Sequence, residues 1–234
     1  MKTSRRGAPG GAGSGRDAEA NAGRGSGAGS GARTPQTSRV SAQQAASGKV
    51  RIIGGRWRGT RLNVRDAPGL RPTSDRVRET LFNWLLSALP GARVLDLFAG
   101  SGALGMEALS RGAASAVLVE RDPALAAELR ALAERLEGGE AAQVVQGDAL
   151  AWLGAQPAAG ADAPGFDLAF VDPPFAAGLW DAVWPALLPR LAPSAWLYVE
   201  APIATAVALP APWMPHREGA TREVRYALYR RLGP

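Results

Sequence analysis

The chain has no cysteine and a single histidine, His216, among 234 residues. The first absence removes disulfides, thiolate nucleophiles and thiolate metal sites together. The second leaves too little imidazole for a His-based metal centre, so no metal is expected. Aromatic residues are sparse at 6%. No apolar run approaches the ~20 residues that span a bilayer, and the N-terminus has no apolar signal region. A cytoplasmic, monomeric protein without membrane contact is expected. Acidic residues are scarce at the N-terminal end. Residues 1–49 hold 8 Lys/Arg against 2 Asp/Glu, residues 50–80 hold 8 Arg against 3 acids, and residues 81–234 hold 11 Arg against 16 acids. A basic segment set beside an acidic body points to a polyanionic partner.

Residues 1–48 are rich in Gly, Ala, Ser and Arg and lack aromatics. Such a segment cannot bury enough surface to offset its ordering entropy and is expected to be disordered. Weak, salt-sensitive affinity for RNA and no specific role at all are both open for it. Residues 49–70 form the next unit. Val50 to Val64 reads as a β-hairpin turning around Gly54-Gly55 and Gly59. Arg51, Arg56, Arg58 and Arg61 surround Trp57 there, which suits phosphate contacts with base or ribose stacking. A solvated hairpin with one packed Trp is the plainer alternative. Residues 71–234 form the main domain. It opens on a helix from Arg71 to Leu86, capped by Thr73 or Asp75. Arg71, Arg76 and Arg78 precede its apolar part and border the expected cleft.

The chain is organised around Arg93-Val-Leu-Asp-Leu-Phe-Ala-Gly-Ser-Gly-Ala-Leu-Gly105. An apolar strand runs into a glycine turn, and a helix starts at Ala103 with its free N–H groups aimed over the turn. Gly100 and Gly102 permit positive φ and let a ligand lie against bare backbone. Strands then alternate with helices: Ser115–Glu120, Pro123–Leu136, Gln143–Gln146, Phe166–Val171, Leu179–Leu191 and Ala195–Glu200. This order implies a doubly wound α/β fold with a mostly parallel sheet. A final strand over Arg222–Leu232 pairs antiparallel with one near Trp213–Arg217.

Gly100-Ser-Gly-Ala-Leu-Gly105 satisfies G-x-G-x-x-G, and Glu120 ends the next strand about twenty residues on. Both features fit a nicotinamide dinucleotide and S-adenosylmethionine alike. Asp96 discriminates further, because a carboxylate there suits an ammonium group and would repel a pyrophosphate. A cap for the glycine turn is its plainer role. Asp148 is placed to accept from an adenine amino group, or simply to cap. Asp172-Pro-Pro-Phe175 follows an apolar strand, where open α/β sheets bind ligands. The Asp172 carboxylate and Pro173 carbonyl offer two acceptors for an exocyclic amine, Pro174 stiffens the turn, and Phe175 offers a face for a base.

These blocks together resemble the class I S-adenosylmethionine-dependent amino-methyltransferases, and most closely the bacterial RsmD family. The resemblance covers about residues 50–232. It rests on R-I-I-G-G-R-W-R-G at 51–59, R-P-T-S-D-R-V-R-E-T-L-F-N-W-L at 71–85, D-L-F-A-G-S-G-A-L-G at 96–105, V-D-P-P-F at 171–175 and L-Y-V-E at 197–200. H-R-E at 216–218 and V-R-Y-A-L-Y at 224–229 match as well. The resemblance implies a Rossmann-like seven-stranded sheet with an antiparallel last strand. It implies methyl transfer to guanine N2 in 16S ribosomal RNA of an assembled or partly assembled small subunit. The catalytic residues would be Asp172, Pro173, Pro174 and Phe175. The cofactor would lie on Asp96, Phe98, Ala99, Gly100, Ser101, Gly102, Glu120, Arg121, Asp148 and Ala149. RNA would meet Arg51, Arg56, Trp57, Arg58, Arg61, Arg71 and Arg76. A DNA amino-methyltransferase, a nicotinamide oxidoreductase and a non-catalytic RNA-binding protein remain the rival readings.

Overall fold

The computed structural model describes residues 50–63, 73–174 and 178–231. The expected tail over 1–48, Arg71 and Phe175 lie outside these residues. Two-residue strands β1 (Val50–Arg51) and β2 (Arg61–Leu62) pair antiparallel and close the predicted hairpin. Helix α1 spans Asp75–Trp84. Its cap is Ser74, whose side chain accepts from the Val77 N–H, so neither Thr73 nor Asp75 takes the role expected for it. Ser74 is extended at φ −60, ψ 150, the backbone a cap requires. The other helices are α2 (Ala103–Ser110), α3 (Pro123–Arg135), α4 (Ala149–Ala155) and α5 (Trp180–Leu187). The short α4 was not foreseen, because its seven residues carry too little apolar period to be distinguished from loop.

The main sheet contains β3 (Arg93–Asp96), β4 (Ser115–Glu120), β5 (Ala142–Gln146), β6 (Phe166–Val171), β7 (Leu191–Pro202), β8 (Trp213–Ala220) and β9 (Val224–Arg231). Their order is β5-β4-β3-β6-β7-β9-β8. The first five are parallel, while β9 runs antiparallel to both β7 and β8. Order reverses between β3 and β6, and a crevice at that point is where such sheets hold ligands.

Each face of the sheet carries its own core, as alternation along buried strands requires. Val94, Leu168, Phe170, Tyr198 and Leu228 face α1 and α2, with Leu81, Phe82 and Met106 packed against them. Leu95, Leu97, Val171, Leu197 and Val199 face the other way, toward Leu153, Val183 and Leu187. Each of these fully buried aliphatics contributes about 1.5–3 kcal/mol.

The hairpin is fastened to the domain by a buried charge. Glu107 on α2 accepts from the Ile53 and Gly54 N–H groups at 3.2 and 3.1 Å. It also accepts from Arg78 Nη1 at 3.0 Å and from Arg111 Nη2 at 2.7 Å. Both the Arg78 and Glu107 side chains are fully buried, so each charge depends on the other and on these added hydrogen bonds. Gly55 lies against the end of α2 at φ +77, where a Cβ would stand 1.9 Å from the Ser110 carbonyl oxygen. No other residue permits that approach.

Candidate active site

The glycine turn joins β3 to α2. Asp96, the last residue of β3, is 3% exposed, and its Oδ2 accepts from the Gly105 N–H at 2.8 Å. Burial, aided by repulsion from Glu120 and opposed by the Gly105 hydrogen bond, pushes this carboxyl up to about 7. Glu120 closes the other side of the turn. Its Oε2 accepts from Gly100 N–H and its Oε1 from Asp122 N–H, both at 2.7 Å. Gly100 and Gly102 adopt φ of 54 and 76. At Gly102 a Cβ would also meet Leu129 Cδ2 at 2.4 Å, so the missing side chain lets α3 approach the turn as well.

The remaining expected cofactor residues divide by position. Ala99 is buried, with its N–H on the Val119 carbonyl at 2.9 Å, and Phe98 is half-buried against the second core. Gly100 and Ser101 line a cavity of about 240 Å³, bounded also by Arg61, Leu125 and Arg135. Arg121 is exposed. Asp148 caps α4, with Oδ1 accepting from the Leu150 and Ala151 N–H groups at 3.0 Å each. Ala149, in the first turn of that helix, is packed in the second core. Asp148 itself stays exposed.

Asp172 follows β6 directly and is half-buried, Pro173 is buried and Pro174 exposed. Phe170 faces the first core and Val171 the second, so alternation turns Asp172 to the side on which Asp96 lies. Burial pushes the Asp172 carboxyl well above the usual carboxylate range, repulsion from Glu200 and then Asp96 adds to the rise, and a Thr73 hydrogen bond opposes it. Glu200 is 4% exposed. Its Oε2 accepts from the Thr73 hydroxyl at 3.0 Å and the Tyr198 hydroxyl at 2.8 Å. Glu200, Thr73 and Tyr198 were not foreseen as site residues. The available signal was an acid ending an apolar strand in L-Y-V-E, the same pattern that marks Asp172. Asp96, Asp172 and Glu200 thus set three carboxyl groups, two of them buried, at the ends of the adjacent strands β3, β6 and β7.

The expected RNA contacts are unequal. Trp57 is 6% exposed, and its Nε1 donates to the Glu137 carbonyl at 3.0 Å while its N–H donates to Ser110 Oγ at 2.9 Å. The ring is an anchor and presents no stacking face, which corrects the expectation for it. Arg56 lies over that ring, 4.5 Å from its centroid, and donates to the Gly138 carbonyl at 3.3 Å. Arg51, Arg58, Arg61 and Arg76 are exposed. Exposed arginines on the anchored hairpin, and Arg76 on α1, suit phosphate contact.

The family model described as Conserved hypothetical protein 95 matches residues 50–230. The chain is 46% identical over 190 residues to ribosomal RNA small subunit methyltransferase D of Escherichia coli strain K12, covering 80% of this chain and 92% of that one. It is 42% identical over 187 residues to the protein of the same name from Haemophilus influenzae, covering 79% and 95%. Among solved structures, a putative methyltransferase, yhhF, from Escherichia coli superposes with a TM-score of 0.69 at 46% identity, over 80% of this chain and all of the other. By the family match over residues 50–230 and 46% identity across most of both chains, the chain belongs to the RsmD family of class I ribosomal RNA methyltransferases.

Proposed function

We propose that the protein transfers a methyl group from S-adenosylmethionine to the exocyclic N2 of a guanine in 16S ribosomal RNA, on an assembled or partly assembled small subunit. One observation carries the reading: Asp172-Pro173 stands at the C-terminal end of β6, beside Asp96 at the reversal point of the sheet. The names of the relatives, which specify small-subunit ribosomal RNA, support the substrate class.

The donor set fits this cosubstrate. A buried carboxyl at Asp96 suits its ammonium group, Glu120 its ribose hydroxyls and Asp148 its adenine amine. When bound, it supplies an electrophilic methyl on a sulfonium. The work of the chain is to orient the nucleophile. A guanine amino group is weakly nucleophilic because its lone pair is delocalised into the ring. The Asp172 carboxylate and the Pro173 carbonyl accept its two N–H hydrogens and turn the lone pair toward the methyl. Phe175 stacks on the base after it leaves its helix. Methylated nitrogen is strongly acidic, so the departing proton needs no strong base. Arg58, Arg61 and Arg76 hold the RNA backbone.

The test is transfer of labelled methyl to unmethylated small subunits, naked ribosomal RNA and duplex DNA, followed by nucleoside digestion. Label in N2-methylguanosine, strongest from subunits, is the expected result. Label in adenine, or in DNA alone, overturns the base or substrate assignment.

A further inference from the structure

Asp172, Glu200 and Tyr226 occupy one level of the sheet. Val171 pairs with Val199, and Glu200 pairs with Tyr226. Asp172, one residue beyond the last β6 pair, therefore stands beside Glu200. Phe170 and Tyr198, two residues earlier on each strand, both face the first core. Alternation accordingly puts Asp172 and Glu200 on that same face. Thr73, buried just ahead of the α1 cap, covers them. Its hydroxyl donates to Glu200 Oε2 at 3.0 Å and also hydrogen-bonds with the Asp172 carboxyl.

One hydroxyl thus serves two carboxyl groups, and it has a single hydrogen to give. That hydrogen favours the ionised form of whichever carboxyl receives it, and so opposes the rise at both. Tyr198 breaks the symmetry. Its hydroxyl donates to the same Glu200 oxygen at 2.8 Å, and burial keeps that phenol protonated well above its ordinary range. Two donors converge on Glu200, whereas Asp172 shares only the Thr73 hydroxyl among the described residues. Burial raises both carboxyls; two hydrogen bonds oppose the rise at Glu200 and one at Asp172, where the neighbouring Glu200 charge adds to it.

We propose that Glu200 and Thr73 are positioning residues for the methyl transfer: Glu200, pinned by Tyr198, fixes the Thr73 hydroxyl beside Asp172, and together they set the charge and aim of the carboxyl that grips the target amine. This rests on the reading of Asp172 as an amine acceptor. The groups that act on Asp172 come from three packed segments. They are Asp96 on β3, Glu200 and Tyr198 on β7 and Thr73 ahead of α1. Tyr226 on β9 faces Tyr198, and Glu120 on β4 faces Asp96. No cation is among them. Removing the Glu200 charge therefore eases Asp172 ionisation, and removing the Thr73 hydroxyl hinders it.

The experiment measures kcat and KM for unmethylated small subunits against pH with the full-length chain, comparing wild type with Glu200→Gln, Thr73→Val and Thr73→Ser. Alongside, the carboxyl carbon of Asp172 is titrated by NMR in aspartate-labelled protein, with Asp172→Asn giving the assignment. The expected result is a pair of opposite displacements. The acid limb of kcat/KM moves down for Glu200→Gln and up for Thr73→Val, with kcat down about tenfold in both through misplacement of the carboxyl. Thr73→Ser restores both limb and kcat. The Asp172 titration moves in step, and KM for subunits stays near the wild-type value. Parallel losses at every pH, with limb and Asp172 titration unmoved, overturn the proposal. So do displacements in the same direction. If Glu200→Gln fails to fold, as judged by melting and S-adenosylhomocysteine binding, Thr73→Val against Thr73→Ser decides alone. If wild type methylates nothing, the functional reading falls, and the NMR titration still tests the network.

Discussion

Replacing Asp96 by asparagine keeps an oxygen for the Gly105 N–H and removes the only charge the side chain can carry. In the folded chain this carboxyl titrates at about 7, against 3.8 for an ordinary aspartate. Between those values the folded state holds a proton that the unfolded state has released, so this group's contribution to stability falls as pH rises through the window. The full gap amounts to about 4 kcal/mol, at roughly 1.4 kcal/mol per pH unit. Most of it accrues between pH 5 and pH 8. Asp96→Asn is therefore expected to gain about 2–3 kcal/mol relative to wild type across that interval. Urea unfolding followed by tryptophan fluorescence at four pH values measures it, and subtracting wild type largely removes the other titrating groups. Stability gained in this way should be lost in function. An ammonium beside Asp96 favours the ionised carboxyl, so S-adenosylhomocysteine affinity should climb as pH rises past 7 in wild type and stay weak and flat in Asp96→Asn. A stability difference that does not vary with pH would refute the buried-carboxyl reasoning. Unchanged cofactor affinity in the variant would refute the ammonium assignment.

Three further outcomes follow from the same geometry. Asp172→Ala should lower methyl transfer by about a hundredfold or more through loss of amine orientation, while calorimetry finds S-adenosylhomocysteine binding little changed. Glu107→Gln removes the buried charge that Arg78, Arg111 and two hairpin N–H groups share. Denaturant titration should show a loss of about 3–5 kcal/mol. Arg58→Ala and Arg61→Ala should each reduce the salt dependence of RNA binding by about one in log–log slope. Filter binding at graded salt checks this, and an unchanged slope would take those arginines off the phosphate backbone.

The sequence by itself determined the parts of this protein that depend on local pattern. Strand–helix alternation established the parallel sheet, since an apolar run followed by a 3.6-residue period has one way to bury both faces. Asp96, Glu120, Asp148 and Asp172 were legible because each lies at or just past the C-terminal end of a strand, and strand ends are where this architecture exposes side chains to ligands. Tertiary structure decided everything that depends on residues distant in the chain. Trp57 looked like a stacking face because arginines surround it. Its partners Ser110 and Glu137 lie 53 and 80 residues away, and only the packing of the hairpin against α2 and α3 turns the ring inward. Leu129 of α3 closes on Gly102, a contact that no local pattern announces. Glu200 remained hidden for the same reason. Its importance comes from Thr73, 127 residues earlier, and from the register that sets β7 beside β6. Sequence spacing carries the period of an element, but not which side chains two elements bring within 3 Å of one another.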